Sequence, residues 1–219
     1  MRNYFKCFVY LVVFIGFSTS HAGSYDDFFS AVEHDQADVV STLVNQGFDP
    51  NTVSAKGVHP MLMAVRAGSF KVINALLAAP TIQVNALTEQ GESPLMLAAL
   101  AGYADVCQKL IDKGADINKP GWTALHYAAT SGNVVIIKML LEHYAYVDTE
   151  SPNGSTPLMM AAKYGTGDAV RALLDGGADP MVKNSLDLTA LDFAYSNDRK
   201  DAAELIGAYV RAKQPKGSW

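Results

Sequence analysis

The chain has 219 residues, 49% of them hydrophobic and 18% charged, with a formal net charge of -5. That length and apolar content suffice for a sizeable core, and the acidic balance argues against a general binder of nucleic acid. Cys7 and Cys107 are the two cysteines, too few for a disulfide framework.

Arg2 and Lys6 precede an apolar run from Cys7 to Phe17, and Ser18 to Ala22 supplies small residues ending in Ser20-His21-Ala22. This layout predicts a signal peptide over 1–22, cleaved after Ala22 so that the mature chain starts at Gly23. The apolar run is shorter than the roughly 20 residues that a membrane span needs. Losing Arg2 and Lys6 takes the formal charge from -5 to -7, and Cys107 becomes the one mature cysteine. The expected location is the periplasm or the exterior. Asn153-Gly154-Ser155 matches a glycosylation acceptor, so a eukaryotic secretory route stays open.

From Gly23 the pattern is helical throughout. An end unit, about Ser24 to Asn51, runs from Tyr25-Asp26-Asp27-Phe28-Phe29 to a stop at Gly47, with Glu33, His34, Asp35 and Gln36 as a polar exterior. Helix starts then recur as His59-Pro60-Met61, Ser93-Pro94-Leu95, Thr123-Ala124-Leu125, Thr156-Pro157-Leu158 and Thr189-Ala190-Leu191, in steps of 34, 30, 33 and 33 residues. Ser or Thr can cap the free amides of a helix start, and Pro at the first helical position loses nothing by lacking an N–H. Gly68, Gly102, Gly132 and Gly165 follow as stops, where positive φ is cheapest for glycine. Each first helix is followed by a second, as in Ala104 to Lys113, which Gly114 closes. Repeats occupy 52–180, a wetter end unit 181–210 has Asp198 in place of the glycine, and 213–219 is a tail.

Thr123-Ala124-Leu125-His126 and Thr156-Pro157-Leu158-Met159, in phase at about 33 residues, resemble the ankyrin repeat. The resemblance implies an all-α repeat solenoid spanning 23–212, an ankyrin stack of about six helix-turn-helix units with projecting β-turn fingers and no internal domain boundary. It further implies a non-catalytic module, without cofactor or metal, that binds a protein partner through its concave face as a monomer. By position the partner-binding candidates are Lys56, Val58, Arg66, Glu89, Gln90, Glu92, Leu100, Trp122, Thr130, Asn153, Lys163 and Tyr164. Small periplasmic ankyrin proteins are similar in layout, some of them linked to oxidative-stress defence. An immunity or inhibitor protein against an exported toxin is the alternative, motivated by small size and acidic charge. An unrecognised hydrolase is the alternative from the enzyme class.

Three departures from the repeat stand out. Pro80 replaces one helix-ending glycine and can still stop the helix. Tyr144 replaces another, so that turn is either rebuilt or strained. The 30-residue step removes about three residues from one finger, leaving Lys119-Pro120-Gly121-Trp122. Trp122 then stands at the edge of a notch, either as a binding hot spot or as a lid on the core.

Catalytic signatures are missing from the sequence. There is no G-x-S-x-G elbow, no phosphate-binding glycine loop and no metalloprotease helix. His126 falls at the family's own histidine, whose role is to brace adjacent turns. His34, His59 and His143 lie in separate units without metal-site spacing. Met61, Met63, Met96, Met159 and Met160 occupy core and near-core positions, where thioethers fill gaps more readily than they bind copper. Cys107, beside Val106 on a second helix, is expected to be a small buried hydrophobe.

Overall fold

The structure, a computed structural model, describes residues 23–213; the expected signal peptide and the residues from 214 onward lie outside them. Two compact units divide the chain between Gln83 and Val84. Among the described residues there is no strand, and no helix is long and apolar enough to cross a membrane.

The first unit contains α1 (23–33), α2 (Ala37–Asn45), α3 (Pro60–Ala67) and α4 (Phe70–Ala78). Phe28, Val32, Val40, Met61, Leu62, Val65, Val72, Ile73 and Leu76 form its core. Phe28 stacks on Phe48 with ring centroids 4.5 Å apart. Asp35 joins the end helices to the repeat, because its carboxylate accepts the Val72 N–H at 2.9 Å near the start of α4. As expected, the α4 helix stops just before Pro80, with Ala79 already extended.

The second unit contains four helix pairs: α5 (Pro94–Ala101) with α6 (Ala104–Asp112), α7 (Ala124–Ser131) with α8 (Val134–Glu142), α9 (Pro157–Tyr164) with α10 (Gly167–Asp175), and α11 (Ala190–Ser196) with α12 (Lys200–Lys213). The α12 helix extends to Lys213, past the end expected for the last unit and into the expected tail. First helices α5, α7, α9 and α11 pack on one another in sequence, and second helices α6, α8, α10 and α12 do likewise. Ala98, Ala99, Ala128, Ala129, Ala161 and Ala162 are fully buried between the first helices, and their size permits the close approach. Leu95, Leu110, Leu125, Ile136, Ile137, Leu140, Leu158 and Leu173 complete the core.

Ahead of a projecting turn, one side chain reaches to the backbone of the following repeat. Asn85 donates its amide to the Gly114 carbonyl at 3.3 Å and accepts the Asp116 N–H at 2.9 Å. Asn118 does the same for the Tyr144 carbonyl and the Tyr146 N–H, both at 2.8 Å. Within the first unit Asn51 does so for the Thr81 carbonyl and the Gln83 N–H, at 2.9 and 2.8 Å. Asp148 holds the next position in this series and accepts the Asp179 N–H through both oxygens at 3.1 Å. Burial, and secondarily the charge of Asp179, raises its pKa above the ordinary carboxylate value.

Two helix ends depart from the simple glycine rule. Tyr144 keeps the native turn, with its N–H bonded to the Leu141 carbonyl at 3.0 Å and the Ala145 N–H to the Leu140 carbonyl at 2.9 Å. It does so at φ 64, so the turn is strained rather than rebuilt. Gly165 ends α9 as expected but not through positive φ: its backbone is extended, at φ -79 and ψ -153. Glycine is required there by space, because an added Cβ would collide with the Ala129 carbonyl oxygen and lie 2.9 Å from the Ala161 Cα. Gly68, Gly102 and Gly132 adopt the left-handed conformation, and so does Asp198.

Candidate functional site

The turns that project between helix pairs follow one hydrogen-bonding plan. The first residue donates its N–H to the carbonyl of the fifth, and the N–H of the fourth returns to the carbonyl of the first. These two bonds are 2.9 and 2.8 Å in Ser54–Val58, both 2.9 Å in Thr88–Glu92, 3.0 and 2.8 Å in Ser151–Ser155, and 3.0 and 2.9 Å in Asn184–Leu188. The fourth position is left-handed in each: Gly57, Gly91, Gly154 and Asp187.

The turn shortened by three residues cannot form this pair. In its place the Lys119 ammonium donates to the Trp122 carbonyl at 3.0 Å and to the Pro120 carbonyl at 3.3 Å. A side-chain cation thus takes over the task of a backbone N–H. Behind the turn lies His126, fully buried. Its Nδ1 accepts the Thr123 N–H at 3.2 Å and lies 3.0 Å from the Thr123 hydroxyl, while its Nε2–H donates to the Ser155 carbonyl of the next turn at 2.9 Å. Burial pushes the His126 pKa down to about 4, with the Lys119 charge acting in the same direction and the Ser155 bond opposing. The ring is therefore neutral at pH 7, as its acceptor role at Nδ1 requires. His126 has the bracing role expected from the sequence.

Trp122 is half-buried and meets the His126 ring edge-on, with centroids 5.1 Å apart and planes at 72°. It packs on the repeat and still presents part of its surface. Thr130 is half-buried, and its hydroxyl donates to the His126 carbonyl at 2.8 Å. Glu92 also has internal partners: Tyr127 donates its phenol to one oxygen at 3.0 Å, and Thr88 its hydroxyl to the other at 3.3 Å. Burial first, then Glu92, pushes the Tyr127 pKa up to about 12. Glu89 and Gln90 project from the same turn and are exposed.

Leu100, Thr130 and Lys163 occupy one position in the last turn of α5, α7 and α9, so the packing of these helices sets them in a row. Leu100 is 43% exposed, and Tyr164, one residue beyond Lys163, is 54% exposed. The Lys163 ammonium sits 4.8 Å from the Tyr164 ring centroid and 5.9 Å from that of Phe193. Asn153 is exposed, and its carbonyl accepts the Ser185 N–H of the following turn at 3.0 Å. Lys56 and Arg66 are exposed in the first unit, on the turn tip and the end of α3, and Val58 is half-buried. Sequence reasoning missed Tyr127 and Lys119 as organisers of this surface. The three-residue deletion was the available signal for Lys119; nothing in the spacing pointed to the Tyr127–Glu92 contact.

Burial pushes the Cys107 thiol up to about 12, so it is not a thiolate nucleophile at neutral pH. Met61, Met96 and Met159 are buried and Met63 and Met160 half-buried, and two of these sulfurs have a further task at the helix caps. The sulfur of Met96 accepts the Ser93 N–H and that of Met159 accepts the Thr156 N–H, each at 3.4 Å, the position that His126 holds in the repeat between them.

A family model described as ankyrin repeats (3 copies) matches residues 28–120, 81–151, 117–184 and 145–214. Among curated proteins, ankyrin repeat and SAM domain-containing protein 6 of Rattus norvegicus is 36% identical over 111 residues, covering 49% of this chain and 12% of that protein. The nuclear factor NF-kappa-B p105 subunit of Gallus gallus is 31% identical over 184 residues, covering 81% of this chain and 19% of that protein. Transient receptor potential cation channel subfamily A member 1 of Homo sapiens is 30% identical over 166 residues, covering 70% and 15%. The chain thus spans less than a fifth of the length of each of these relatives. With the family model matched across nearly all the described residues, and with the helix pairs, turns and bracing histidine in place, the chain belongs to the ankyrin repeat family, whose repeats are protein-interaction modules.

Proposed function

We propose that this chain is an exported, non-catalytic binding module, and that the row formed by Leu100, Thr130, Lys163 and Tyr164 in the second unit engages a protein partner. The observation that carries this reading is the exposure of Leu100 and Tyr164 on helices whose other large apolar side chains are largely buried. An exposed leucine and tyrosine beside a lysine, in a unit whose turns carry the exposed polar residues Glu89, Gln90 and Asn153, have the make-up of a protein-binding surface. Lys163, held over two rings, offers a positioned cation to a partner. Export follows from the layout of residues 1–22, and an accessory role in the periplasm, including stress defence, is the setting in which such a module would act.

The test is affinity capture from the periplasmic or secreted fraction, with protein starting at Gly23 beside a Leu100→Asp, Tyr164→Asp double variant. Both side chains are substantially exposed, so the variant should melt with wild-type protein. A partner held by wild type and lost by the variant supports the reading. A partner held equally by both refutes this surface as the site.

A further inference from the structure

Elsewhere in the second unit the N–H of the cap residue is accepted by a group that does not titrate near neutrality, the sulfurs of Met96 and Met159 or the carboxylate of Asp192. In the repeat with the shortened turn it is accepted by an imidazole. That turn also lacks the backbone bond pair of the other four, so its end is held by two side chains, Lys119 at the Trp122 carbonyl and His126 at the Thr123 N–H. We propose that His126 is an acid-sensitive latch, whose protonation frees the short turn 119–122 and exposes Trp122 while the helices stay folded.

The argument is one of donors and acceptors. At neutral pH the His126 Nδ1 lone pair faces the Thr123 N–H, and the other nitrogen is committed to the Ser155 carbonyl. A proton taken from water binds at Nδ1, which turns a donor toward the Thr123 N–H, leaves the Thr123 hydroxyl at 3.0 Å as the acceptor within reach, and places a cation in a fully buried site. No anion is placed to compensate it. α5 carries no titratable side chain, and α8 carries Lys138 and Glu142, both exposed. α9 carries Lys163, engaged with aromatic rings, and Tyr164; the segment leading into the 151–155 turn carries Asp148 and Glu150; on α7 itself Tyr127 is bonded to Glu92. The charge that acts on the ring is that of Lys119, and it is positive.

The folded-state pKa lies below the ordinary value of 6.5, at about 4, so the closed turn keeps its full stability above pH 6.5 and loses it as the pH falls toward 4. Each unit in that window favours the protonated, open form by up to tenfold, about 300-fold in all. A closed-to-open ratio smaller than this inverts before pH 4 is reached. The four regular turns are closed by backbone N–H and carbonyl groups, which do not titrate in this range.

The experiment uses the full chain with Trp219→Phe, so that Trp122 is the one indole, and follows its emission and far-UV circular dichroism from pH 8 to pH 4. A second protein adds His126→Met, a residue that the flanking repeats already accommodate at this position with the same cap contact. The expected result is a red shift of Trp122 emission between pH 6.5 and 4 at constant helicity, absent in the methionine variant. The proposal is overturned by no shift in that window, by a shift that persists with methionine at 126, or by loss of helicity in step with the emission change.

Discussion

Replacing Tyr144 by glycine should make this protein more stable. An L-residue held in the left-handed region costs roughly 1–2 kcal/mol, and Tyr144 sits there at φ 64. Its side chain is 84% exposed, so removing it forfeits little burial. Glycine carries an opposing conformational cost of roughly 0.5–1 kcal/mol in the unfolded chain. The net gain is about 0.5–1 kcal/mol, or about 1–4 °C in melting temperature for a domain of this size. The bonds around the turn, from Tyr144 N–H to the Leu141 carbonyl and from Asn118 to the Tyr144 carbonyl, involve backbone atoms of residue 144 and survive the change. Tyr144→Ala serves as the control, because it removes the ring and keeps the Cβ that causes the strain. Thermal melts of the three proteins side by side should rank glycine above tyrosine and alanine. Equal stability of the glycine and alanine variants would refute the strain argument.

Gly165→Ala should destabilise by about 1–3 kcal/mol, since its Cβ meets the Ala129 carbonyl and the Ala161 backbone at once; an unchanged denaturation midpoint would show that α7 and α9 can part without cost. Asp148→Asn should stabilise by about 1 kcal/mol at pH 7, because an amide restores the donor that Asn51, Asn85 and Asn118 use and removes a half-buried charge facing Asp179. The raised pKa of Asp148 means that the penalty is absent below the unfolded value of 3.8 and complete once the pH has risen through the folded value. The gain on substitution should therefore shrink in denaturation curves recorded below pH 4, and a pH-independent gain would exclude the charge as its source.

Much of this architecture was legible because each repeat solves the same local problem with the same residue types. Ser93, Thr156 and Thr189 start helices as hydroxyl caps, and Gly102 and Gly132 stop them in the left-handed region, as their residue types dictate. Gly165 carries the same letter for a different reason, a near collision between neighbouring helices, and a one-dimensional pattern does not separate crowding from torsion. The strain at Tyr144 was visible as a choice between two outcomes; Asn118, gripping the turn on both sides of Ala145, accompanies the strained one. In the candidate surface, the row from Leu100 to Lys163 came from the resemblance to ankyrin repeats, carried over by position. The Glu92–Tyr127 contact joins residues 35 apart and depends on side-chain reach, which spacing does not encode. Lys119 was masked by its ordinary identity, since a lysine in a loop usually points to solvent rather than to two carbonyls.

The amide side chains that join one repeat to the next sit immediately ahead of the projecting turns. Asn118 grips its neighbour at 2.8 Å although the turn after it is three residues short, and Asn85 grips its own ahead of a full-length turn. Spacing between helix pairs is thus fixed before the chain enters the turn, and the length of the turn does not propagate into the stack. The tips of such turns, as at Glu89 and Gln90, are therefore places where evolution, or an engineer, can insert, delete or graft residues without renegotiating how the stack folds.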